Sequence, residues 1–519
     1  MKTILICFDD VGSISVRLLH AFLDKKEHDV TSVFLIDVSK PIDYNFFVKT
    51  IKNYNPGLVA IQVLSNYVKL SEKITKKIKK NIGCHVLWGG PHPTINPHTS
   101  LKYADFICVG EAEYAISELI TLMQQNKPIY TIKNIGYKKN NKKYINPLRP
   151  LIQDLDRLPF PDFSDKKKVY IYKNKIFKTP PIDSLEYYYK FNYPIITSRG
   201  CPYNCTYCGS YNLKKIYGKT YHVRRRGVKN VIEELKLAKK MFPSIVKVAF
   251  VDDVFTLDIK WLKKFCKEYK HNINLPFYCH LHTKMADEEK LKLIKEANCV
   301  NVGLGIQSGS EKIRKEIFHR FESNKEIFQV SDSLKNKKIK VVYDVIVDNP
   351  YEEFEEYISS LSLFFKLKKP FTIRLFSLVF YPNFELTLKA LKDKKISIKN
   401  VVGYSNNVVY HGMRSKYSKK SMFIYSLYSL LGKYYIPNKF IKFISQSKYL
   451  RKNPKGLFWL TNIITTTHYI YSLFIGLIFN FIKLPKRTLS MILRILSNFV
   501  NQKVFPFIHL PYIYEEEKP

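Results

Sequence analysis

The sequence predicts an α/β protein in three parts: a doubly wound parallel sheet, a full or partial α/β barrel and an α-helical C-terminal region. Three observations support this prediction. Short apolar runs alternate with helical patterns over residues 1–150, strand–helix repeats follow over 191–400, and from 401 to 519 the pattern is helical, basic and aromatic. A chain of 519 residues is also longer than one hydrophobic core usually supports.

The first 150 residues are predicted to form the doubly wound sheet. Continuous apolar runs, such as TILICF at 3–8 and LVAIQVL at 58–64, are typical of strands buried on both faces. Helical patterns, for example at 14–25, 69–80 and 111–123, lie between the runs, which predicts parallel pairing. Ligands of such sheets bind at the carboxyl ends of the strands. The candidate binding residues at those ends are Ser65, Gly89, Gly90, Gly110 and Glu111.

Residues 151–190 are predicted to be a linker, because LDRLPFPDFSD contains two prolines in three residues and a lysine run follows. A second α/β part is expected over 191–400, where six strand–helix repeats indicate a full or partial barrel. After a first strand near residue 194, its strands are predicted at 246–253, 277–284, 300–310, 340–350 and 372–382.

The chain is strongly basic, with a formal net charge of +41 from 85 Lys and Arg against 44 Asp and Glu. Such an excess is typical of proteins that bind nucleic acid or anionic membranes. It is equally typical of an AT-rich genome, since lysine dominates and Ile, Asn, Tyr and Phe are abundant. The hydrophobic content of 46% excludes a disordered chain.

Nine cysteines, an odd number scattered over a long chain, exclude the disulfide framework of a small secreted protein. The N-terminal MKTILICFDD does not resemble a signal peptide, because its apolar stretch is short and ends in acidic residues. We therefore expect a cytoplasmic protein, with membrane association as an open alternative.

That alternative rests on the C-terminal part. Residues 456–482 form a run of 27 uncharged residues, which is long enough to cross a bilayer. The run could be a membrane span, an interfacial helix or a helix packed on the protein itself. A second apolar segment follows, so 456–503 is the segment through which a peripheral membrane contact would form.

Three cysteines in RGCPYNCTYCGS carry the strongest chemical signal. Cys201, Cys205 and Cys208 have the spacing CxxxCxxC, and three thiolates on one loop can bind three irons of a 4Fe–4S cluster and leave the fourth iron open. A tetrahedral zinc site is the alternative, and it would need a fourth ligand, for which His222 is the nearest candidate. The arginines at 224–226 suit either a phosphate contact or a solvated surface run.

The cysteine motif, with Tyr207 before its third cysteine, resembles that of the radical SAM superfamily. The resemblance implies that the open iron binds S-adenosylmethionine (SAM) and that reductive cleavage of SAM produces a 5′-deoxyadenosyl radical. An electron donor such as flavodoxin or ferredoxin would supply the electron. Two further segments, VAFVDDVFTLD and GIQSGS, are similar to family motifs that contact SAM, although Gln307 replaces the commoner glutamate. The residues concerned are Asp252, Asp253, Gln307, Ser308 and Gly309.

The N-terminal half resembles the cobalamin-binding subclass of this superfamily through GGPHPT, GEAEYAISEL and LPFPD, in this order. The resemblance implies a Rossmann-like cobalamin-binding domain whose carboxyl edge faces a TIM-like barrel. Gly89 and Gly90 would lie near the nucleotide tail of cobalamin, and Ser65 beneath the corrin. The family's Asp-x-His-x-x-Gly loop is absent, since the first loop reads FDDVGSIS. Cobalt would then lack a histidine ligand, or the domain has lost the cofactor.

These resemblances imply a cobalamin-dependent C-methyltransferase that acts on a small-molecule, lipid or natural-product substrate. The alternative within the subclass is a radical SAM enzyme that oxidises, cyclises or rearranges its substrate without methyl transfer. An alternative of another class is a basic membrane- or nucleic-acid-binding protein without catalysis. The combined motifs argue against that class, and we do not expect a nucleic-acid partner.

Overall fold

A computed structural model describes residues 1–38, 41–181, 191–402, 418–433 and 435–464. The chain divides into two compact units. The first contains Met1–Phe255, His271–Ile273 and Phe380–Asn406, and the second contains Thr256–Lys270, Asn274–Val379 and the chain from Asn407 onward. The division therefore falls inside the predicted 191–400 part rather than at its start. As a result, the N-terminal sheet and the cysteine motif belong to the same unit.

The first unit is built on a nine-stranded sheet. Its strands are β1 (Lys2–Phe8), β2 (Val30–Ile36), β3 (Pro56–Gln62), β4 (His85–Gly89), β5 (Phe106–Cys108), β6 (Ile135–Lys139), β7 (Lys142–Ile145), β8 (Lys168–Tyr172) and β9 (Lys175–Phe177). Their order is β7-β6-β5-β4-β3-β1-β2-β8-β9, and the pairs from β5 through β8 in this order are parallel. Every residue of β2 is buried, as expected for a sheet covered on both faces. The predicted parallel sheet is confirmed.

The helices predicted at 14–25, 69–80 and 111–123 begin and end within two residues of the predicted ranges, whereas three further helices had not been predicted. Six α-helices in all are described over residues 14–124. They are α1 (Ile14–Lys25), α2 (Tyr44–Lys52), α3 (Val68–Asn81), α4 (Pro91–Ile95), α5 (Pro97–Ser100) and α6 (Glu113–Gln124). Helix α2 shows why a polar residue starts a helix: the side chain of Asp43 accepts hydrogen bonds from the backbone N–H groups of Asn45 and Phe46.

The segment predicted as a linker, 151–190, differs from that prediction because it contributes two strands. β8 pairs in parallel with β2, with Val169 beside Val33, and β9 pairs antiparallel with β8. All five residues of β8 are buried. The lysine run concealed this strand, because Lys168 is buried through an ion pair with Asp162, a partner that local patterning does not show.

Arg17 of α1 fastens the proline-rich LPFPD segment to the sheet. Its side chain is fully buried, and its guanidinium donates hydrogen bonds to the carbonyl of Asp162 at 3.0 Å and the hydroxyl of Tyr170 at 3.2 Å. The same guanidinium lies 4.9 Å from the ring centroid of Phe163. LPFPD therefore has a packing role in this chain.

The strands predicted over 191–400 are present. In the first unit, β10 (Asn192–Ile195) leads to β11 (Ser198–Arg199), which pairs antiparallel with β12 (Arg224–Arg225), while β10 pairs in parallel with β13 (Lys247–Phe250). In the second unit, β14 (Phe277–Leu281), β15 (Cys299–Gln307), β16 (Lys340–Val347) and β17 (Thr372–Ser377) form a parallel ladder in this order. The α/β architecture of this part is thus as predicted.

Helices follow most of these strands, and the described part of the C-terminal region, residues 418–433 and 435–464, is mostly helical, in agreement with the prediction. The helices are α7 (Gly209–Tyr217), α8 (Val228–Met241), α9 (Ile259–Asn272), α10 (Glu288–Glu296), α11 (Asn324–Asn336), α12 (Phe354–Lys366), α13 (Glu385–Lys392), α14 (Lys419–Leu431), α15 (Asn438–Gln446) and α16 (Lys448–Lys452). Residues 455–464 are helical as well.

The predicted membrane segment lies mostly outside the described residues. Of 456–482, and of the longer 456–503, only the part up to residue 464 is described. Within the described ranges, no helix combines the length and the apolar character that crossing a membrane requires.

Candidate functional site

The three motif cysteines lie on one loop between β11 and α7. None of the three is disulfide-bonded; Cys205 is buried, and Cys201 and Cys208, like Tyr207, are half-buried. The backbone N–H of Cys208 donates to the carbonyl of Cys205 at 3.0 Å, and the N–H of Cys201 donates to the hydroxyl of Tyr221 at 2.9 Å. The protein's own hydrogen bonds therefore shape this loop.

The thiols of the loop interact electrostatically with one another. Burial, followed by the negative charges of Asp253, Cys208 and Cys205, raises the pKa of Cys201 to about 12. Burial likewise raises the pKa of Cys208 above its usual value. Three thiolates this close repel each other, and a bound cationic group offsets that repulsion.

This donor set fits a 4Fe–4S cluster and does not fit a single zinc ion. In a cubane each thiolate binds a different iron, so the sulfur atoms need not converge on one point. Across the described ranges, no three His, Cys, Asp or Glu side chains are placed to hold one metal ion. The ring nitrogens of His222 lie 3.0 Å from the carbonyl of Thr220 and 2.7 Å from Oε1 of Gln153. The predicted fourth zinc ligand is thus already engaged.

The two aspartates that follow β13 have different environments. Asp252 is 1% exposed, and its carboxylate accepts hydrogen bonds from the backbone N–H of Thr197 at 3.0 Å, from the Thr197 hydroxyl at 2.9 Å and from the Ser198 hydroxyl at 2.5 Å. Asp253 is exposed and accepts a hydrogen bond from the hydroxyl of Ser210, just after the last cysteine, at 2.7 Å. Asp252 thus supports the strand that leads to the loop, whereas Asp253 faces solvent beside it.

An ion-pair network joins the cysteine loop to the N-terminal sheet. Arg199, two residues before Cys201, donates to Glu111 at 2.9 Å and to Glu113 at 2.6 Å. Arg224 of the neighbouring strand β12 donates to the same Glu111 oxygen at 2.7 Å. Glu111 follows β5 at the carboxyl edge of the sheet, so this edge and the loop share one carboxylate.

Burial of this ion-pair network shifts the pKa values of Glu111 and Arg199. Burial alone would raise the pKa of Glu111, but Arg199 and Arg224 hold it below its usual value. Burial alone would lower the pKa of Arg199, whereas Glu113 and Glu111 raise it. Glu111 and Arg199 therefore stay charged at neutral pH, and removal of either one leaves its partners in a desolvated site without a full complement of counter-charges.

Gly110 allows α7, the helix that follows the cysteine loop, to approach the same edge of the sheet. Its φ is +80°, and a Cβ atom built there would lie 2.0 Å from the hydroxyl oxygen of Tyr217 at the end of α7. Only glycine accommodates both this backbone conformation and this contact. The sequence predicted Gly110 and Glu111 as ligand-binding residues; in the structure their described contacts are with the residues around the cysteine loop.

The arginine run at 224–226 is neither solvated nor arranged as an open phosphate site. Arg224 is 6% exposed and pairs with Glu111. Arg226 pairs at 2.5 Å with Glu234, which is buried in α8. The surface-run interpretation is therefore wrong, because Glu111, 113 residues before Arg224, and the buried Glu234 pair with Arg224 and Arg226.

Ser65 and His92 form a buried pair near the carboxyl ends of β3 and β4. The Ser65 hydroxyl lies 2.9 Å from Nδ1 of His92, and both residues are buried. Burial lowers the pKa of His92 to about 4, so its imidazole is neutral at physiological pH. The hydroxyl predicted to lie beneath a corrin is therefore already bonded to a protein side chain.

Gly89, Gly90 and Gln62 are further residues at this edge of the sheet. Gly89 ends β4, and Gly90 has a φ of +93° and would bring a Cβ atom to 3.3 Å from Gln62 Cγ. The amide of Gln62 donates to the hydroxyl of Ser15 at 2.8 Å. The first loop of the sheet, 9–13, has no histidine. A cobalamin bound at this edge would therefore have no cobalt-ligating histidine from that loop.

In the second unit, the GIQSGS segment ends β15. Gln307 has a φ of +68°, which is uncommon for a residue other than glycine. Ser308 is buried and donates to Oε1 of Glu352 at 2.7 Å, and burial raises the pKa of Glu352 to about 7. A Cβ atom on Gly309 would lie 2.4 Å from Cα of Ser360. Ser308 and Gly309 therefore pack against α12, while Gln307 is half-buried.

Sequence reasoning missed Glu113, Tyr217 and Tyr221, which help to hold the loop in the first unit, and it did not assign this role to Arg199 and Arg224. The sequence feature that could have indicated the role of Arg199 is its position two residues before Cys201. Arg199 and Glu113 are 86 residues apart, and Arg224 and Glu111 are 113 residues apart. No local sequence pattern indicates pairs at such separations.

Two family models match the chain in the order of its parts. A B12 binding domain matches residues 3–120, and the radical SAM superfamily domain matches residues 195–364. The first match covers the parallel sheet with Gly89 to Glu111, and the second begins just before the cysteine loop.

Individual relatives agree with these domains. An uncharacterized methyltransferase of Pyrococcus horikoshii is 29% identical over 56% of this chain and 60% of its own length. The anaerobic magnesium-protoporphyrin IX monomethyl ester cyclase of Rubrivivax gelatinosus is 24% identical over 54% of this chain and 49% of its own length. The chain thus spans less than two thirds of these relatives.

A solved structure shows the same fold. It is that of the radical SAM methyltransferase TsrM from Kitasatospora setae with cobalamin and a 4Fe–4S cluster bound. The TM-score is 0.62 at 16% sequence identity, over 76% of this chain and 78% of that chain.

Proposed function

We propose, because this chain belongs to the cobalamin-binding subclass of the radical SAM superfamily, that it is a cobalamin-dependent C-methyltransferase. A 4Fe–4S cluster at Cys201, Cys205 and Cys208 would supply the electron that cleaves SAM to methionine and a 5′-deoxyadenosyl radical, and cobalamin would carry the methyl group. The reaction class is radical methylation of an unactivated carbon.

One observation carries the proposal: the cysteine loop and the carboxyl edge of the B12 binding domain are bonded to each other. Arg199 beside the loop and Glu111 at the edge form an ion pair of 2.9 Å. A methyltransferase of this class needs its radical-generating site and its methyl carrier in a fixed relationship, since misplacement of either costs rate. This ion pair supports such a relationship in this chain.

The protein's own groups have separable roles in this proposal. Asp253, exposed beside the loop, is the carboxylate we assign to the SAM ammonium group. Asp252 positions the loop through Thr197 and Ser198. Tyr207 and Gln307 remain proposed SAM contacts, whereas Ser308 and Gly309 act by packing.

The substrate is proposed to be a small molecule, a lipid or a natural-product intermediate, and the electron donor a small redox protein such as flavodoxin or ferredoxin. An enclosed site would protect the radical from quenching by other hydrogen donors.

The proposal is tested by anaerobic reconstitution of the full chain with iron, sulfide and hydroxocobalamin, followed by addition of reductant and SAM. Mass spectrometry then quantifies the SAM products. We expect both 5′-deoxyadenosine and S-adenosylhomocysteine, with cobalamin retained after gel filtration. Formation of 5′-deoxyadenosine alone would reject methyl transfer in favour of non-methylating radical chemistry.

A pair of cysteine variants controls this experiment. Cys205→Ser should abolish both products and lower bound iron, because one iron loses its thiolate. Cys84→Ser, at a half-buried cysteine outside the motif, should leave both unchanged. Equal losses in the two variants would contradict the assignment of the cluster to the motif.

A further inference from the structure

The C-terminal helices of the second unit expose large apolar side chains. Over residues 438–464, five of them are between 49% and 73% exposed. We call this surface the aromatic face; its members are Phe440, Phe443, Tyr449, Trp459 and Leu460. Single exposed apolar residues are ordinary. Here, however, α15, α16 and the helical segment 455–464 all contact α14, so these side chains lie on neighbouring helices, and such a set indicates an interaction surface.

Four members of the aromatic face, those of α15 and of the helical segment 455–464, lie on helices whose other side is packed. In α15, Ile441 and Ile444 are buried, whereas Phe440 is 53% and Phe443 is 71% exposed. In the helical segment 455–464, Leu457 and Thr461 are buried while Trp459 is 67% exposed. Both helices therefore already have a core-facing side, so the aromatic residues on the other side are available to a partner.

Basic residues are interspersed with the aromatic ones. Six exposed cations lie in the same stretch: Lys439, Lys442, Lys448, Arg451, Lys452 and Lys455. The sequence has no Asp or Glu from residue 394 to 514, a stretch with 19 Lys and Arg. The partner of this surface must therefore supply negative charge as well as apolar contact.

We propose that the aromatic face docks this protein on an anionic lipid bilayer surface. Aromatic side chains prefer the interfacial region of a bilayer, and lysines beside them would contact lipid phosphates. A membrane fits better than a nucleic acid, because the face continues in sequence into the uncharged run 456–482, which offers apolar contact but no cations for a phosphate backbone. This inference does not depend on the proposed reaction.

The test is sedimentation of the full-length protein with sucrose-loaded vesicles, without SAM or reductant. Vesicles of phosphatidylcholine alone are compared with vesicles containing one-third phosphatidylglycerol, each at low and high salt. We expect binding to the anionic vesicles, weak binding to the neutral ones and weakening by salt.

Two variants examine the two contributions. Lys442→Gln/Lys448→Gln should weaken binding to anionic vesicles about 30-fold, since each basic residue near such a surface contributes about 1 kcal/mol. Phe443→Ser/Trp459→Ser should weaken binding at least tenfold, and the loss should persist at high salt. All four side chains are exposed, so these substitutions should leave folding intact.

Matched controls lie on α8 of the first unit, which also exposes lysines and apolar side chains. Lys236→Gln/Lys240→Gln and Leu237→Ser/Met241→Ser repeat the same chemistry there. They should leave vesicle binding unchanged. If the control lysines mattered as much as Lys442 and Lys448, binding would reflect net charge alone, which would overturn the assignment to this face.

Three further outcomes would also overturn the proposal. The first is failure of the full chain to bind anionic vesicles. The second is wild-type binding by both face variants, which would assign the contact to the chain beyond residue 464. The third is that a single-stranded RNA probe, but not vesicles, binds and is released by the same substitutions, which would make the surface a nucleic-acid site.

Discussion

Arg199 donates a hydrogen bond to Glu111 at 2.9 Å, and this contact joins the residue two positions before the first motif cysteine to the carboxyl edge of the N-terminal sheet. The Glu111 carboxylate also accepts from the backbone N–H of Ile152 at 2.8 Å. The carboxylate thus accepts hydrogen bonds from Arg199, from Arg224 and from the main chain. Such a group orients its neighbours, so we regard Glu111 as a positioning residue.

The first prediction concerns the charge of Glu111. Glu111→Gln should lower the free energy of unfolding of the first unit by about 3 kcal/mol, because Arg199 and Arg224 then lose a shared counter-charge in a desolvated site. The measurement is urea unfolding followed by circular dichroism. Glu72→Gln is the control, since it breaks an exposed pair with Lys76 and should cost less than about 0.5 kcal/mol. Similar costs for both would contradict the structural role of Glu111.

The second prediction concerns the contact between Gly110 and Tyr217. Gly110→Ala should destabilise the protein by roughly 2 kcal/mol or more, because the positive φ disfavours a side chain and the new Cβ clashes with the tyrosine hydroxyl. Adding Tyr217→Phe should recover part of this loss, since it removes the clashing oxygen. Thermal melts of the single and double variants measure the coupling. Strictly additive effects would show that the two residues do not touch.

The third prediction is a pH dependence that comes from His92. Its folded-state pKa is about 4, below the value near 6.5 of an exposed histidine. Only the unfolded chain therefore binds this proton between pH 6.5 and 4. Stability is fully present above pH 6.5 and falls by up to about 1.4 kcal/mol per pH unit as the solution is acidified through that window.

Replacing His92 by glutamine should flatten this acid loss, because an amide does not titrate and can still bond to Ser65. The measurement is the melting temperature from pH 7 to pH 4. His98→Gln, at an exposed histidine six residues later, should leave the slope of wild type unchanged. If His92→Gln retained the full acid slope, other groups would account for it.

The fourth prediction separates the two aspartates after β13. Asp253→Asn should raise the Kd for SAM at least tenfold while the melting temperature stays within about 2 °C, because Asp253 is exposed and supports no strand. Asp252→Asn should instead lower the melting temperature, since its carboxylate accepts hydrogen bonds from Thr197 and Ser198. Isothermal titration with SAM and thermal melts together distinguish the two. The reverse pattern would exchange their assigned roles.

Much of the fold could be predicted from local patterns. Strand β2 is apolar throughout and is buried throughout, and α1 begins and ends at the predicted residues. Local patterning failed at β8, where Lys168 occupies a buried strand because Asp162 neutralises it. Periodicity reports the average environment of a side chain, and a single long-range ion pair can reverse that environment.

The candidate site likewise has some features that the sequence shows and others that only the structure shows. The sequence by itself determined the cysteine spacing, the order of the two cofactor-binding domains and the absence of a histidine from the first loop, since each depends only on residue type and position. Only the tertiary structure decided that Glu111 binds Arg199, that Ser65 is bonded to His92 and that Ser308 packs on Glu352. The physical reason is that hydrogen bonds and ion pairs form between groups that are near in space, and the fold brings together residues separated by 27 to 88 positions.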